Sequence, residues 1–159
     1  MATPEQIEAL KSFCNAAKVA KHIFPEMAAC EACVETNWGQ SELYRKYRNV
    51  FGQKQSHPPI YSSVVLPTQE FIRGKWITTQ AEFVVFPTAA EAFEARMSLL
   101  LRLESTVPAY KAALHAATPE EFIIDVSSAW ATAPNRASNC MMIFRSHRDV
   151  LSPDQLETV

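Results

Sequence analysis

Three threonines, at positions 3, 88 and 118, each stand three residues ahead of a Gln or Glu and directly before apolar side chains at helical spacing. A threonine hydroxyl accepts a hydrogen bond from the backbone N–H three residues on, and a Gln or Glu there can reach back to the cap. Pro4 and Pro119 occupy the first helical position, where a missing N–H costs nothing. Helices are therefore predicted from Pro4 (Ile7, Leu10, Phe13 or Cys14, Ala17), from Ala89 (Phe93, Met97, Leu100, Leu101) and from Pro119 (Phe122, Val126, Ala129). Further helical stretches are expected from about Pro25 to Glu35, just after Ser41, and from about Asn135 to Ser146.

Between these helices the composition changes. From Ile60 to Phe86 the chain is rich in Val, Ile, Thr, Phe and Trp, which suit a pleated, half-buried surface. Arg73-Gly74-Lys75 reads as a turn between Gln69–Ile72 and Trp76–Thr78, and Ala81–Phe86 as a third extended run ending at Pro87. The expected architecture is α+β and mainly helical, one domain over residues 1–159 with a β insertion at about 60–86.

Composition sets the classes aside. With 159 residues, 48% hydrophobic and 20% charged, the chain carries enough apolar mass for a core and is not of disordered type. Fifteen basic against seventeen acidic side chains give a net charge of −2, which provides no footprint for nucleic acid or for an anionic membrane surface. No run approaches the roughly 20 apolar residues of a membrane span. Residues 1–6 have neither the basic start nor the apolar run of a secretory signal. The expectation is synthesis in the cytoplasm and release by a holin-type or dedicated secretion route.

Cys30 and Cys33 form a C-x-x-C, which invites a metal or redox reading. Ala28, Ala29, Ala32 and Val34 embed the pair in an apolar helix, and no second such pair completes a zinc site. Buried, inert thiols are expected. His22, His57, His115 and His147 are scattered, with His57 read as a solvated loop residue, and Met141-Met142 are read as core fillers. No metal or cofactor is implied. Arg45, Lys46 and Arg48 read as a solvated helix face.

The window Glu35-Thr36-Asn37-Trp38-Gly39-Gln40-Ser41 carries the chemistry. Glu35 ends an apolar helix, Gly39 is the expected helix stop, and an indole follows closely. A carboxyl among apolar surfaces at a helix C-terminus is poorly stabilised as an anion, so its pKa is expected to rise, as for lysozyme's acid. Such a group keeps the proton that a general acid needs. Asn49, Phe51 and Gly52 are expected to build a turn beneath the site, the amide satisfying local backbone and Gly52 permitting a positive φ.

Glu35–Leu43 followed by Asn49-Val50-Phe51-Gly52-Gln53-Lys54 resembles family 73 of the glycoside hydrolases, the peptidoglycan glucosaminidases of flagellar rod caps, autolysins and phage lysins. The likeness continues through Thr68–Phe71, Gly74-Lys75-Trp76, Phe83–Phe86 with Glu91-Ala92-Phe93, and Trp130-Ala131-Thr132-Ala133-Pro134-Asn135, covering roughly residues 5–145. It implies a lysozyme-like fold, a groove between a helical and a small β lobe, and cleavage of the β-1,4 bond between N-acetylglucosamine and N-acetylmuramic acid. By position Glu35 matches the family's catalytic acid, and Glu70 the β-lobe carboxylate that serves several members as a second catalytic group, here the candidate base. The substrate's own acetamido group is a competing nucleophile.

Trp38, Asn49, Phe51, Trp76 and Trp130 are the substrate-binding candidates, although core packing that shapes the acid's pocket is the first reading for Trp38 and hairpin cover the first for Trp76. Trp130, Ala133 and Arg136 depart from the family's Tyr, Asp and second aromatic. The expected partner is the peptidoglycan glycan strand, met by a monomer without nucleic acid or membrane insertion. A phage-type lysin, a delivered effector and an autolysin remain open, as do a muramidase or lytic transglycosylase and a non-catalytic wall-binding module.

Overall fold

A computed structural model describes residues 1–131 and 133–153. Thr132, part of the Trp130–Asn135 motif, lies outside the described residues. In chain order the elements are α1 (Pro4–Val19), α2 (Pro25–Thr36), α3 (Glu42–Tyr47), β1 (Ser63–Ile72), β2 (Lys75–Val84), α4 (Ala89–Arg102), α5 (Pro108–Leu114), α6 (Pro119–Trp130), α7 (Arg136–Ser146) and α8 (Arg148–Leu151). This is the expected helical domain with a β insertion.

All three threonines cap as their spacing predicts. Thr3 forms the full reciprocal box, its hydroxyl accepting from Gln6 N (3.1 Å) while Gln6 Oε1 accepts from Thr3 N (2.9 Å). Thr88 and Thr118 accept from Glu91 N and Glu121 N. Glu121 reaches one residue further back, to Ala117 N at 3.0 Å. Each such cap is worth about 1 kcal/mol.

The helix α2 differs from the one-faced pattern expected of it. Met27, Ala28, Ala29, Cys30, Ala32 and Cys33 are all buried, so the helix is enclosed nearly all round. Its small side chains permit that, because α1 and α7 pack closely along it. The four cysteines are buried and free. Burial pushes the Cys33 and Cys140 thiols up to about 12, leaving them inert as thiolates. In α4, Leu101 is exposed rather than core, and Arg96 is fully buried. Met142 is likewise exposed at 65% and fills no core.

The insertion is one hairpin, not three runs: Ala81–Val84 continues β2 in register with Ser63–Leu66. Arg73 (φ 52°) and Gly74 (φ 77°) make a two-residue turn with both φ positive, the twist that a tight hairpin needs. A lone two-stranded ribbon is marginal in water, so its base must be held. The Asn49 amide does this, donating to Gln53 O and Val84 O (2.9 Å each) while its oxygen accepts from Gln53 N at 3.0 Å.

The short helices α5 and α8 lie beyond the sequence expectations, although Pro108 ahead of an Ala-rich run is an initiation signal for α5.

His22 is packed among the rings of Phe51, Phe93 and Phe122, with Nδ1 donating to Ile23 O at 2.6 Å. Burial, followed by the charge of Arg96, lowers its pKa to about 4. An unfolded histidine binds its proton near pH 6.5, so between those values the unfolded chain holds the extra proton. Stability is therefore full above about pH 6.5 and is lost as pH falls through 4, with about 2 kcal/mol already gone at pH 5. Urea unfolding at pH 7 and pH 5 should show this loss, and His22→Leu should flatten it. An equal pH dependence in the variant would refute the assignment.

Candidate active site

Glu35 is the penultimate residue of α2, and the chain leaves that helix abruptly. Asn37, Trp38 and Gly39 take φ of 50°, 59° and 81°, three consecutive left-handed residues. The helix stop is therefore Asn37, two residues earlier than expected, because an asparagine tolerates the left-handed C-cap. A left-handed Trp costs about 1–2 kcal/mol. The turn is repaid in hydrogen bonds: Trp38 N donates to Cys33 O and Ser41 N to Thr36 O, both at 2.8 Å. The Thr36 hydroxyl donates to Ala32 O (2.7 Å) and accepts from Gly39 N (2.8 Å). Glu35 thus stands at the mouth of a rigid, strained exit.

Trp38 is carried away from the carboxyl. It lines a separate surface concavity with Met1, Gln6, Met142 and His147. The apolar surroundings expected of Glu35 are corrected accordingly. The group against it is a guanidinium, with Arg136 Nε donating to Glu35 Oε1 at 2.6 Å.

Arg136 belongs to a buried charge array. Its Nη1 donates to Ser127 Oγ (2.9 Å) and its Nη2 to Glu31 Oε2 (2.5 Å). Glu31, one turn before Glu35, also receives a bidentate pair from Arg96, Nη1 to Oε1 at 2.9 Å and Nη2 to Oε2 at 2.7 Å. Glu31 and Arg96 are both 0% exposed and Arg136 is 2% exposed. Burial pushes the Glu31 pKa up, but Arg96 and Arg136 outweigh it and hold it at about 2. Arg136 is held protonated beyond the ordinary arginine range, Glu31 and Glu35 overcoming its burial.

The Arg96 guanidinium lies between two rings, 4.4 Å from the Phe51 centroid and 4.3 Å from that of Trp130. Trp130 Nε1 in turn donates to Phe51 O at 3.1 Å. The charge array and the aromatic floor are therefore one structure, tying α2, α4, α6, α7 and the Asn49–Gln53 turn together.

Above that floor runs a groove of about 690 Å³, lined by Glu35, Asn49, Phe51, Lys54, Glu70 and Trp130 among others. Glu35 comes from the helical lobe and Glu70 from β1 of the hairpin, where Lys54 Nζ donates to Glu70 Oε1 at 2.5 Å. Of the sequence candidates, Asn49, Phe51 and Trp130 meet the two carboxylates here. Trp38 and Trp76 do not. Trp76, 68% exposed, pairs with Phe71 across the hairpin (centroids 5.3 Å), while Glu70 pairs with Ile77 on the opposite face.

Sequence reasoning missed Glu31, Arg96, Ser127 and Lys54. For Glu31 a signal existed: it is the one charge in the otherwise apolar run Met27–Val34. Among the described residues no group of three or more His, Cys, Asp or Glu side chains is arranged to hold a metal ion.

The Glucosaminidase family profile, described as mannosyl-glycoprotein endo-beta-N-acetylglucosaminidase, matches residues 11–149. The chain belongs to this family. A probable N-acetylmuramidase of Lactococcus lactis subsp. cremoris (strain MG1363) is 28% identical over 145 residues, 89% of this chain and 33% of that protein. The exo-glucosaminidase LytG of Bacillus subtilis (strain 168) is 30% identical over 128 residues, 79% of this chain and 45% of that protein. The chain thus spans a third to under a half of these relatives. The catalytic domain of the autolysin Auto from Listeria monocytogenes superposes with a TM-score of 0.76 at 25% identity, over 95% of this chain and 88% of that one. This likeness, over nearly the whole chain, bears out the expected lysozyme-like fold.

Proposed function

We propose that this glucosaminidase domain hydrolyses peptidoglycan glycan strands, cleaving the β-1,4 bond between N-acetylglucosamine and N-acetylmuramic acid. The observation that carries the reading is the pair of carboxylates, Glu35 and Glu70, lining one groove from opposite lobes. Hydrolysis needs an acid on the leaving oxygen and a second group at the other face of the sugar ring. Glu35 protonates the glycosidic oxygen. Glu70 activates water, its carboxylate steadied by Lys54. Trp130 offers an apolar ring face to a sugar above the Phe51 and Asn49 floor. The site of action is the bacterial wall.

Digestion of purified peptidoglycan, followed by borohydride reduction and mass spectrometry of the new ends, tests the proposal. Reduced N-acetylglucosamine ends are expected. Reduced muramic acid ends would instead match the activity named for the Lactococcus relative. Anhydro ends would indicate a transglycosylase, and no new ends a binding module.

Glu70→Gln should lower kcat by about 10²-fold or more if Glu70 is the base. A loss under about tenfold would transfer that role to the substrate's acetamido group.

A further inference from the structure

We propose that Arg136 is the positioning residue of the acid, determining which oxygen of Glu35 carries the proton. This rests on the reading of Glu35 as that acid. Arg136 Nε binds Oε1 at 2.6 Å, and among the described residues no hydrogen bond engages Oε2. An arginine N–H can only donate. An oxygen receiving such a bond must offer a lone pair, which both a carboxylate and the carbonyl oxygen of a carboxylic acid can do. The carbonyl oxygen of a carboxylic acid accepts more strongly than its hydroxyl oxygen, so in the protonated acid the Nε–H bond favours the carbonyl at Oε1 and the proton on Oε2, the oxygen free to deliver it into the groove.

The rest of the side chain is anchored so that Nε does not wander. Nη2 is tied to Glu31 and Nη1 to Ser127, and Glu31 is itself clamped from the other side by Arg96. A planar guanidinium holds three partners in one plane, whereas an ammonium is a point charge on a flexible stem. The aromatic that the family resemblance implies at position 136 cannot make this array. Glu31 is its complement in this chain, since a carboxylate one helical turn before Glu35 gives the guanidinium its counter-charge.

The test uses Arg136→Lys and Arg136→Gln, with steady-state turnover on soluble peptidoglycan fragments and thermal melts recorded together. Arg136→Lys keeps the charge opposite Glu31 and the fold with it. Its kcat should fall roughly 10–100-fold with KM within about twofold, since misplacing a catalytic group by about 1 Å costs up to 10²-fold. Arg136→Gln should fall further. A folded Arg136→Lys with kcat within twofold of the parent overturns the proposal, and so does a loss confined to KM. A third measurement needs neither variant to fold. The Arg136 Nε–H resonance of ¹⁵N-labelled protein should move in Glu35→Gln, and an unchanged resonance also overturns it. If Glu35→Gln itself stays active, it is the acid assignment that fails. If Glu35→Gln is dead while both Arg136 variants turn over normally, only the positioning role fails.

Discussion

Glu35→Gln is expected to abolish the proposed glycan hydrolysis while the protein melts within a few degrees of the parent. The amide is nearly isosteric, and its carbonyl oxygen still accepts the Arg136 Nε–H that Oε1 accepts now. The strained exit at Asn37, Trp38 and Gly39 is backbone-bonded through Cys33, Thr36 and Ser41, none of which involves the Glu35 carboxyl. What the amide cannot do is release a proton to a leaving oxygen at neutral pH. Loss of a general acid costs about 10²–10⁴ in kcat. Release of reducing ends measures the loss, and circular dichroism melts certify the fold. A variant retaining a tenth or more of parental turnover would remove Glu35 from the mechanism.

The largest effect on stability is expected at Glu31. Glu31→Ala takes away the carboxylate that receives both Arg96 and Arg136, leaving two buried guanidiniums facing a cavity. Breaking a buried pair by removing one partner costs about 3–5 kcal/mol, because an uncompensated charge stays out of water. For a chain of this size the melting temperature should drop by roughly 6–20 °C. Activity should fall as well, since Arg96 holds the Phe51 and Trp130 rings that floor the groove. A drop under about 3 °C would show that water or Glu35 takes over the charge, and that the array contributes little to the fold.

The elements differ in how far they could be read from sequence, and the reason is range. The threonine caps are complete within four residues, so their helix starts are legible wherever they occur. The Arg73-Gly74 turn is local in the same way. The enclosure of α2 was not, because Ala and Cys on every side are compatible with one buried face or with all of them until α1 and α7 are in place. Trp38 makes the same point at the site. Three residues from Glu35 in sequence, it was expected to shape the acid's pocket, yet three successive positive φ values turn it to another surface.

The local sequence also placed Glu35 at the end of a helix and Glu70 on a strand, since helical period, strand composition and capping are properties of neighbouring residues. It determined, through the ordered motifs from Glu35 to Asn135, which family the chain belongs to. Only the tertiary structure decided that a guanidinium rather than an indole meets the Glu35 carboxyl. The Glu35–Arg136 and Glu31–Arg96 contacts join residues 101 and 65 positions apart. Whether such charges find each other depends on helix packing that excludes water around them, and burial is a property of the whole fold that no window of sequence contains.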